Sequence, residues 1–126
     1  MTDRDNGPTL AGQGQTCPDP RTIAIRDLND AFRRTLQGGL AVMTRGVEAL
    51  GAATIRRAFI QVKNFDAFTP DNDPYGEHDF GGFALDGHRF FWKIDLYDPT
   101  LSMGSTDPAD PKLTRRVLTV MLADEY

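Results

Sequence analysis

The sequence predicts an α+β domain with a small three-stranded, mostly antiparallel sheet and helices packed mainly on one of its faces. Three observations predict this fold: an amphipathic helical repeat after Arg21, a turn at Asp86-Gly87 between two strand-like runs, and a helix start at Asp110-Pro111. The predicted order is helix, strand, helix, strand, strand, helix. A chain of 126 residues can bury a hydrophobic core without a disulfide or a structural metal.

A polar tail is predicted before the domain. Residues 1–20 contain three glycines, three prolines and few large apolar side chains, so they bury too little surface to compensate for the entropy lost on ordering. We therefore expect residues 1–20 to be disordered and residues 21–126 to form a single domain. Cys17 is the single cysteine of the chain, which excludes an internal disulfide.

The first helix is predicted from an apolar stripe that ends at Gly38-Gly39. Its members recur at three- and four-residue steps, as in an amphipathic helix: Ile25, Leu28, Phe32 and Leu36. A short apolar run at residues 40–44 then predicts a strand that continues toward Val47.

A second helix is predicted from a further stripe at helical spacing. The stripe consists of Ile55, Phe59 and Val62. Thr69-Pro70 should end this helix, because proline lacks the backbone donor and restricts the residue before it.

A β-hairpin is the clearest structural signal in the chain. Asp86-Gly87 suits a type I′ turn, in which both central residues have positive φ. A regular hairpin places Leu85 opposite His88, Phe83 opposite Phe90, Gly81 opposite Trp92 and His78 opposite Asp95. One face then carries core side chains, and Gly81 opposite Trp92 makes room for the indole. The other carries Phe80, Phe91 and Tyr97, which either lie under a helix, the favoured interpretation, or form an exposed patch that binds a partner.

A final helix is predicted from residue 110 onward. Asp110 is a good N-cap and Pro111 a favourable first helical residue. One side of this helix is expected to carry Leu113, Val117, Val120 and Met121.

Charge is distributed unevenly along the chain. The net charge is -4, yet residues 64–110 hold ten acids against Arg89 and Lys93, a balance of -8. The remaining basic residues include three Arg-Arg doublets that we expect on solvated helix faces, so direct nucleic-acid binding is disfavoured. A protein partner with a basic surface is predicted instead. The chain shows no apolar run long enough for a membrane span and no secretory signal, so we expect a cytoplasmic protein without membrane contact.

The densest acidic segment is the loop of residues 69–79, called the acidic loop below. The side chains predicted to bind a partner are Asp71, Asp73, Tyr75, Glu77 and Asp79. Asp71, Asp73 and Gly76 also match three positions of a calcium loop. The match fails at its fifth and twelfth positions, so the favoured interpretation is a set of Asx turns, with no metal and no cofactor.

A second candidate cluster is catalytic. Its members are His78 and Asp95, as cross-strand neighbours, with Lys93 close by. An imidazole oriented by a carboxylate is typical of a general base, which would support hydrolysis. No nucleophile lies beside the pair in sequence, and a His-Asp pair on a half-exposed sheet is more often a plain cross-strand contact. The favoured prediction is therefore that the protein is not an enzyme.

Several segments carry a family resemblance, most specifically residues 72–80 and 91–95. With further segments at residues 25–34, 44–46 and 117–126, they cover about residues 21–126. On these residues the chain resembles a bacterial family of domains of unknown function, numbered 3768. The resemblance implies a small single-domain protein often found on plasmids and other mobile elements, with no established reaction.

Two functions are therefore weighed. The favoured one is an accessory protein of a mobile element that binds a protein through its acidic surface, with inhibition of a CRISPR-type host defence complex as one form. The alternative is a small hydrolase-like enzyme that uses His78 and Asp95, with or without a divalent ion at the acidic loop. The oligomeric state is left open.

Overall fold

A computed structural model describes residues 19–126. Its elements are the helices α1 (Pro20–Thr35), α2 (Arg45–Glu48) and α3 (Ala52–Lys63), the strands β1 (Gly39–Met43), β2 (Phe80–Leu85), β3 (His88–Tyr97) and β4 (Arg115–Leu122), and the 3-10 turns Pro111–Leu113 and Ala123–Glu125. Of the predicted tail, residues 1–18 lie outside the described residues. Asp19 and Pro20 instead start α1, since the Asp19 side chain accepts a hydrogen bond from the backbone N–H of Thr22 at 2.8 Å.

The sheet has four strands in the order β1-β4-β3-β2. Strands β3 and β4 pair antiparallel, as do β2 and β3, whereas β1 and β4 run parallel. The fold class is α+β as predicted. The predicted three-stranded, mostly antiparallel sheet is wrong, and so is the predicted order of helices and strands.

The error lies in the last element, because β4 replaces the predicted final helix. Asp110 does cap a helical turn, but the turn ends at Leu113. Beyond it, Arg116, Leu118 and Val120 are buried at every second position, which is the period of a strand. Buried Arg116 hides this alternation from a hydrophobicity pattern, while apolar residues on both faces imitate a helical stripe.

The hairpin is confirmed. Leu85 lies opposite His88, Phe83 opposite Phe90 and Gly81 opposite Trp92. Asp86 has φ 54° and Gly87 has φ 79°, as the type I′ turn requires.

The ends of one helix and one strand differ from prediction. Helix α3 ends at Lys63, well before Thr69-Pro70, and at this end the guanidinium of Arg33 donates to the carbonyls of Val62 and Phe65. Strand β1 ends at Met43, and Val47 is fully buried within α2 instead of extending the strand.

The hydrophobic core lies between the helices and one face of the sheet. That face contributes Phe90, Trp92, Ile94, Leu118 and Val120, and the helices contribute Phe32, Val47, Ala58 and Val62. Helices on mainly one face were predicted, and this part of the prediction holds.

The opposite face, called the open face below, is covered by no helix among residues 19–126. It carries Phe80, Phe91 and Tyr97, so the favoured interpretation that these lie under a helix is wrong. The ring of Tyr126 packs there instead, with ring centroids 5.6 Å from Phe80 and 5.5 Å from Phe91. None of the helices formed by residues 19–126 has the length and apolar character needed to cross a bilayer.

Candidate functional site

The acidic loop is built on side-chain contacts to its own backbone. The Asn72 side chain accepts from the backbone N–H of Thr69 at 3.0 Å and donates to the carbonyl of Ala67 at 2.9 Å. The N–H of Asp73 donates to the carbonyl of Thr69 at 2.8 Å. Short polar side chains that close turns in this way hold a loop in one conformation.

His78 anchors the end of the loop to α1. Its backbone N–H donates to the Asp73 carboxylate at 3.1 Å, and its ring Nδ1 lies 2.9 and 3.0 Å from the two oxygens of Asp30. Nε2 lies 3.6 Å from the Asp73 carboxylate, and the ring stacks on Phe68 with centroids 3.8 Å apart. A φ of 54° at His78 is uncommon outside glycine, and the surrounding contacts hold it there.

The predicted pairing of His78 with Asp95 is wrong. The hairpin ladder ends at Phe80, which lies opposite Lys93. The positive φ of His78 turns its ring toward α1 and away from the strand register. Asp95 instead forms an ion pair with Lys93 at 3.0 Å on the open face.

The three catalytic candidates therefore lie in two separate places. Lys93 and Asp95 belong to the open face, whereas His78 lies between Asp30 and Asp73. A general base needs a ring nitrogen that can reach substrate. Both ring nitrogens of His78 face carboxylates of the protein, which favours an anchoring role.

Arg33 is at the centre of the contacts that hold the end of the acidic loop against α1. Its burial was not predicted from the sequence. Its side chain is fully buried and donates to the carbonyls of Val62 and Phe65 at 3.1 and 3.0 Å. It also pairs with the Asp30 carboxylate at 2.7 Å, and its guanidinium lies 5.3 Å from the ring centroid of Phe68. The sequence prediction had placed Arg33 on a solvated face.

Helical spacing could have revealed that Arg33 faces the core. Ile25, Asn29 and Arg33 follow one another at four-residue steps, so the polar pair extends the apolar stripe of α1 toward the core. Arg34, one position on, is exposed.

Asn29 and Arg116 extend the buried polar contacts to β4. The Asn29 side chain donates to the carbonyl of Glu77 at 2.9 Å and accepts from Arg116 at 2.8 Å. Arg116 also donates to the carbonyl of Pro108 at 3.0 Å. Asn29, Asp30, Arg33, His78 and Arg116 together form what we call the polar cluster, which joins α1, the acidic loop and β4.

The pKa of Asp30 is lowered. Burial acts to raise it, but hydrogen bonds from Arg33 and His78 outweigh burial and favour the carboxylate. Asp30 is therefore the anion that balances the buried guanidinium.

The pKa values of Glu77 and Asp79, which follow the tip of the loop, are raised instead. Burial raises the pKa of Glu77, and repulsion from Asp79 and Asp73 adds to it. Burial likewise raises the pKa of Asp79, assisted by Asp73 and Asp95. Burial first, and repulsion between carboxylates second, therefore disfavour the charged forms of Glu77 and Asp79.

Elsewhere in the acidic stretch most acids have partners. Asp86 pairs with Arg57, Asp95 with Lys93 and Asp107 with Arg21. Asp98 and Asp110 accept hydrogen bonds from the Thr100 hydroxyl and the N–H of Lys112, which leave their charge in place. Three of the ten acids of residues 64–110 are thus neutralised by a basic side chain outside the acidic loop, and the loop holds four of the remaining seven.

The comparison with protein families gives one match. A model described as a protein of unknown function, DUF3768, matches residues 43–125. The chain belongs to the DUF3768 family. No curated protein and no solved structure shows a significant match. The DUF3768 range includes the acidic loop, the hairpin and β4, while α1, with Asp30 and Arg33, precedes it.

In this DUF3768 protein the predicted binding residues divide into two groups. Asp71 is exposed, and Tyr75 is 81% exposed between the two acidic ends of the loop. Glu77 and Asp79 are half-buried, and Asp73 is buried against His78. The calcium-like spacing of Asp71 and Asp73 therefore belongs to a turn, in which the Asp73 carboxylate accepts a hydrogen bond from the N–H of His78. Within residues 19–126 no group of three His, Cys, Asp or Glu is arranged to hold a metal ion.

Proposed function

We propose that this DUF3768 protein acts by binding another protein through the acidic loop. The observation that carries the proposal is Tyr75, which is 81% exposed on a loop whose two ends are fixed. Exposed tyrosines are enriched among residues that dominate binding energy, because they offer a large rigid contact area with one polar end.

Rigidity of the loop supports this function. Asn72 closes its first turn, and His78 and Glu77 attach its end to α1. A surface ordered before binding loses less conformational entropy on association. The polar cluster therefore serves to present the loop.

Electrostatics favour a basic partner. Burial raises the pKa values of Glu77 and Asp79, and repulsion from neighbouring carboxylates adds to it. A lysine or arginine approaching from a partner would offset that repulsion. Asp71 adds an exposed carboxylate. Asp73 is removed from the predicted binding surface, because its carboxylate serves His78 within the protein.

The partner in this proposal is a nucleic-acid-binding complex with a basic channel. The family resemblance to proteins of bacterial mobile elements supports a cytoplasmic host complex of the CRISPR type, which the acidic loop would obstruct. The support is the chemistry of the loop and that resemblance.

The test is quantitative enrichment of host proteins on immobilised protein, followed by affinity measurement with the purified partner. The baits are the wild type, Tyr75→Ala, the pair Asp71→Asn with Glu77→Gln, and Glu48→Gln as a control at an exposed acid on α2. We expect a basic partner retained by the wild type and by Glu48→Gln. Both loop variants should bind it at least about tenfold more weakly.

Salt provides the second readout. Binding through the acidic loop should weaken as ionic strength rises, and more steeply for the wild type than for the neutralised pair. Equal retention of every partner by both loop variants, or binding indifferent to salt, would refute the proposal.

A further inference from the structure

The open face is a surface that the proposed function does not use. Strand register places on it the outer side chains of all four strands, including Leu40, Val42, Phe91, Lys93, Asp95 and Val117. The helices cover the other face, so the structure of residues 19–126 leaves this one without a layer. A sheet with apolar side chains on both faces ordinarily buries both.

The apolar part of the open face is exposed. Leu40 and Val42 on β1 are 41% and 42% exposed, and β1 is an edge strand within the described residues. Beside them runs a groove of about 430 Å³, lined in part by Tyr97, Thr119 and Tyr126. Apolar side chains gathered along one side of a sheet are typical of a protein interface.

The centre of the open face carries one positive and one negative side chain. Lys93 and Asp95 lie two positions apart on β3, and their charged atoms are 3.0 Å apart. Each side chain is more than a third exposed. Glu125 also borders the groove, but its carboxylate already accepts from Thr44 and from the N–H of Gly46. Arg89 and Arg115 lie at the two ends of the face, beside Ala84 and Tyr97.

We propose that the open face pairs with the open face of a second copy of this chain, about a twofold axis that passes over β3 at the level of Ile94. The axis lies between the two sheets and perpendicular to β3, so it brings the two copies of β3 together antiparallel. In such a symmetric interface, residue i contacts residue j and residue j contacts residue i. Lys93 then lies against the partner's Asp95, and Asp95 against the partner's Lys93.

The same axis matches the apolar side chains. Thr119 lies beside both Lys93 and Val42, and Val117 lies beside both Asp95 and Leu40. Val42 is therefore level with Lys93, and Leu40 with Asp95, so the axis places Val42 against the partner's Leu40.

Aromatic side chains are matched as well. Phe91 and Tyr97 are each three positions from Ile94, so the axis brings the partner's Tyr97 toward Phe91 and the Tyr126 ring that packs on it. One axis thus pairs opposite charges, aliphatic groups and aromatic rings, and this self-complementarity identifies a second copy as the occupant. The inference is independent of the proposed function, because it concerns a different surface.

The test is the molar mass in solution, measured by sedimentation equilibrium across a wide concentration range and by native mass spectrometry. We expect a reversible dimer of the wild type. Lys93→Glu leaves two acids at the centre of the face and Asp95→Lys leaves two bases, so each variant alone should be monomeric. An equimolar mixture should form a heterodimer, because each variant then meets opposite charge.

Controls separate this pairing from general attraction between unlike charges. Lys112→Glu and Asp66→Lys make the same charge changes at exposed positions away from the open face. Each should dimerise as the wild type does, and their mixture should show no preference for the heterodimer. Circular dichroism of every variant confirms that it is folded.

Three results would overturn the proposal. They are a wild type that is monomeric at every concentration, a dimer that persists in both charge variants, and a mixture of those variants that fails to associate. If a chain starting at Asp19 dimerises and the full chain does not, the occupant of the open face is residues 1–18 and not a second copy.

Discussion

At the scale of single residues, the largest difference between sequence and structure is Arg33. An arginine without exposure is stable only when its donors are satisfied. Asp30, Val62 and Phe65 satisfy them. The side chain that the sequence predicts on a solvated face thus donates to carbonyls at the end of α3 and contacts Asp30, which binds His78.

The first prediction concerns this residue. Arg33→Met should lower the free energy of unfolding by about 3 kcal/mol, because it leaves Asp30 and two carbonyls without their donor. Arg34→Met, on the exposed neighbour, should change it by less than about 0.5 kcal/mol. Urea unfolding followed by circular dichroism measures both, and similar values for the two variants would contradict the role given to Arg33.

Gly81 is the second residue whose role is decided by contact. A Cβ at this position would lie 2.5 Å from Nε1 of Trp92 and 2.7 Å from the ring of Phe65. The indole was predicted to need this space, and the structure confirms that it occupies it.

Gly81→Ala should therefore destabilise the protein by about 1–3 kcal/mol, since the well-packed core must shift to admit the methyl group. Gly104→Ala is the matched control, because the nearest atom to its added Cβ is 4.0 Å away. Thermal unfolding compares the two. A Gly81→Ala protein as stable as Gly104→Ala would mean that the indole is free to move.

At the scale of elements, the carboxylates in and beside the acidic loop have pKa values shifted in opposite directions. The pKa of Asp30, which holds the loop, is below its ordinary value of 3.8. Asp30 therefore stabilises the fold above that value, and its contribution is lost as the pH falls through the lowered pKa. Glu77 and Asp79 have raised pKa values, so they favour the fold when protonated and lose this contribution as the pH rises through those pKa values.

These shifts predict a stability maximum in mildly acidic solution. Glu77→Gln combined with Asp79→Asn should raise the free energy of unfolding at pH 7 and flatten its decline between acidic and neutral pH. Asp30→Asn should instead flatten the loss at strongly acidic pH. Urea unfolding over a pH series checks both, with Asp66→Asn as a control at an exposed acid. Parallel curves for all variants would show that these groups are not the source of the pH dependence.

At the scale of the whole molecule, β4 connects the parts of the fold. It pairs with β1 on one side and with β3 on the other, and through Arg116 it reaches the polar cluster. The most stable part of a domain is ordinarily its most fully bonded centre.

Amide hydrogen exchange should therefore be slowest in β3 and β4 and faster in β2, which pairs on one side within the described residues. Mass spectrometry of peptides from residues 80–85, 88–97 and 115–122 measures this order. Exchange in residues 115–122 as fast as in 80–85 would contradict the central position of β4.

Local patterns in the sequence determined the α+β class, helix α1, the hairpin and its register, the space at Gly81 and the concentration of acids. Each depends on residues near in sequence: a stripe, a turn dipeptide or a composition. The family was also recognisable from short segments and is confirmed over residues 43–125.

Tertiary structure alone decided β4, the place of His78 and the open face. Residues 115–122 have apolar side chains on both faces, so their period is ambiguous until β1 and β3 pair with them. His78 leaves the strand register because Asp30, 48 positions away, binds its ring more favourably than continued pairing would. Contacts between distant segments carry no local signal, and they determine which of this protein's charges are buried as anchors and which are available to a partner.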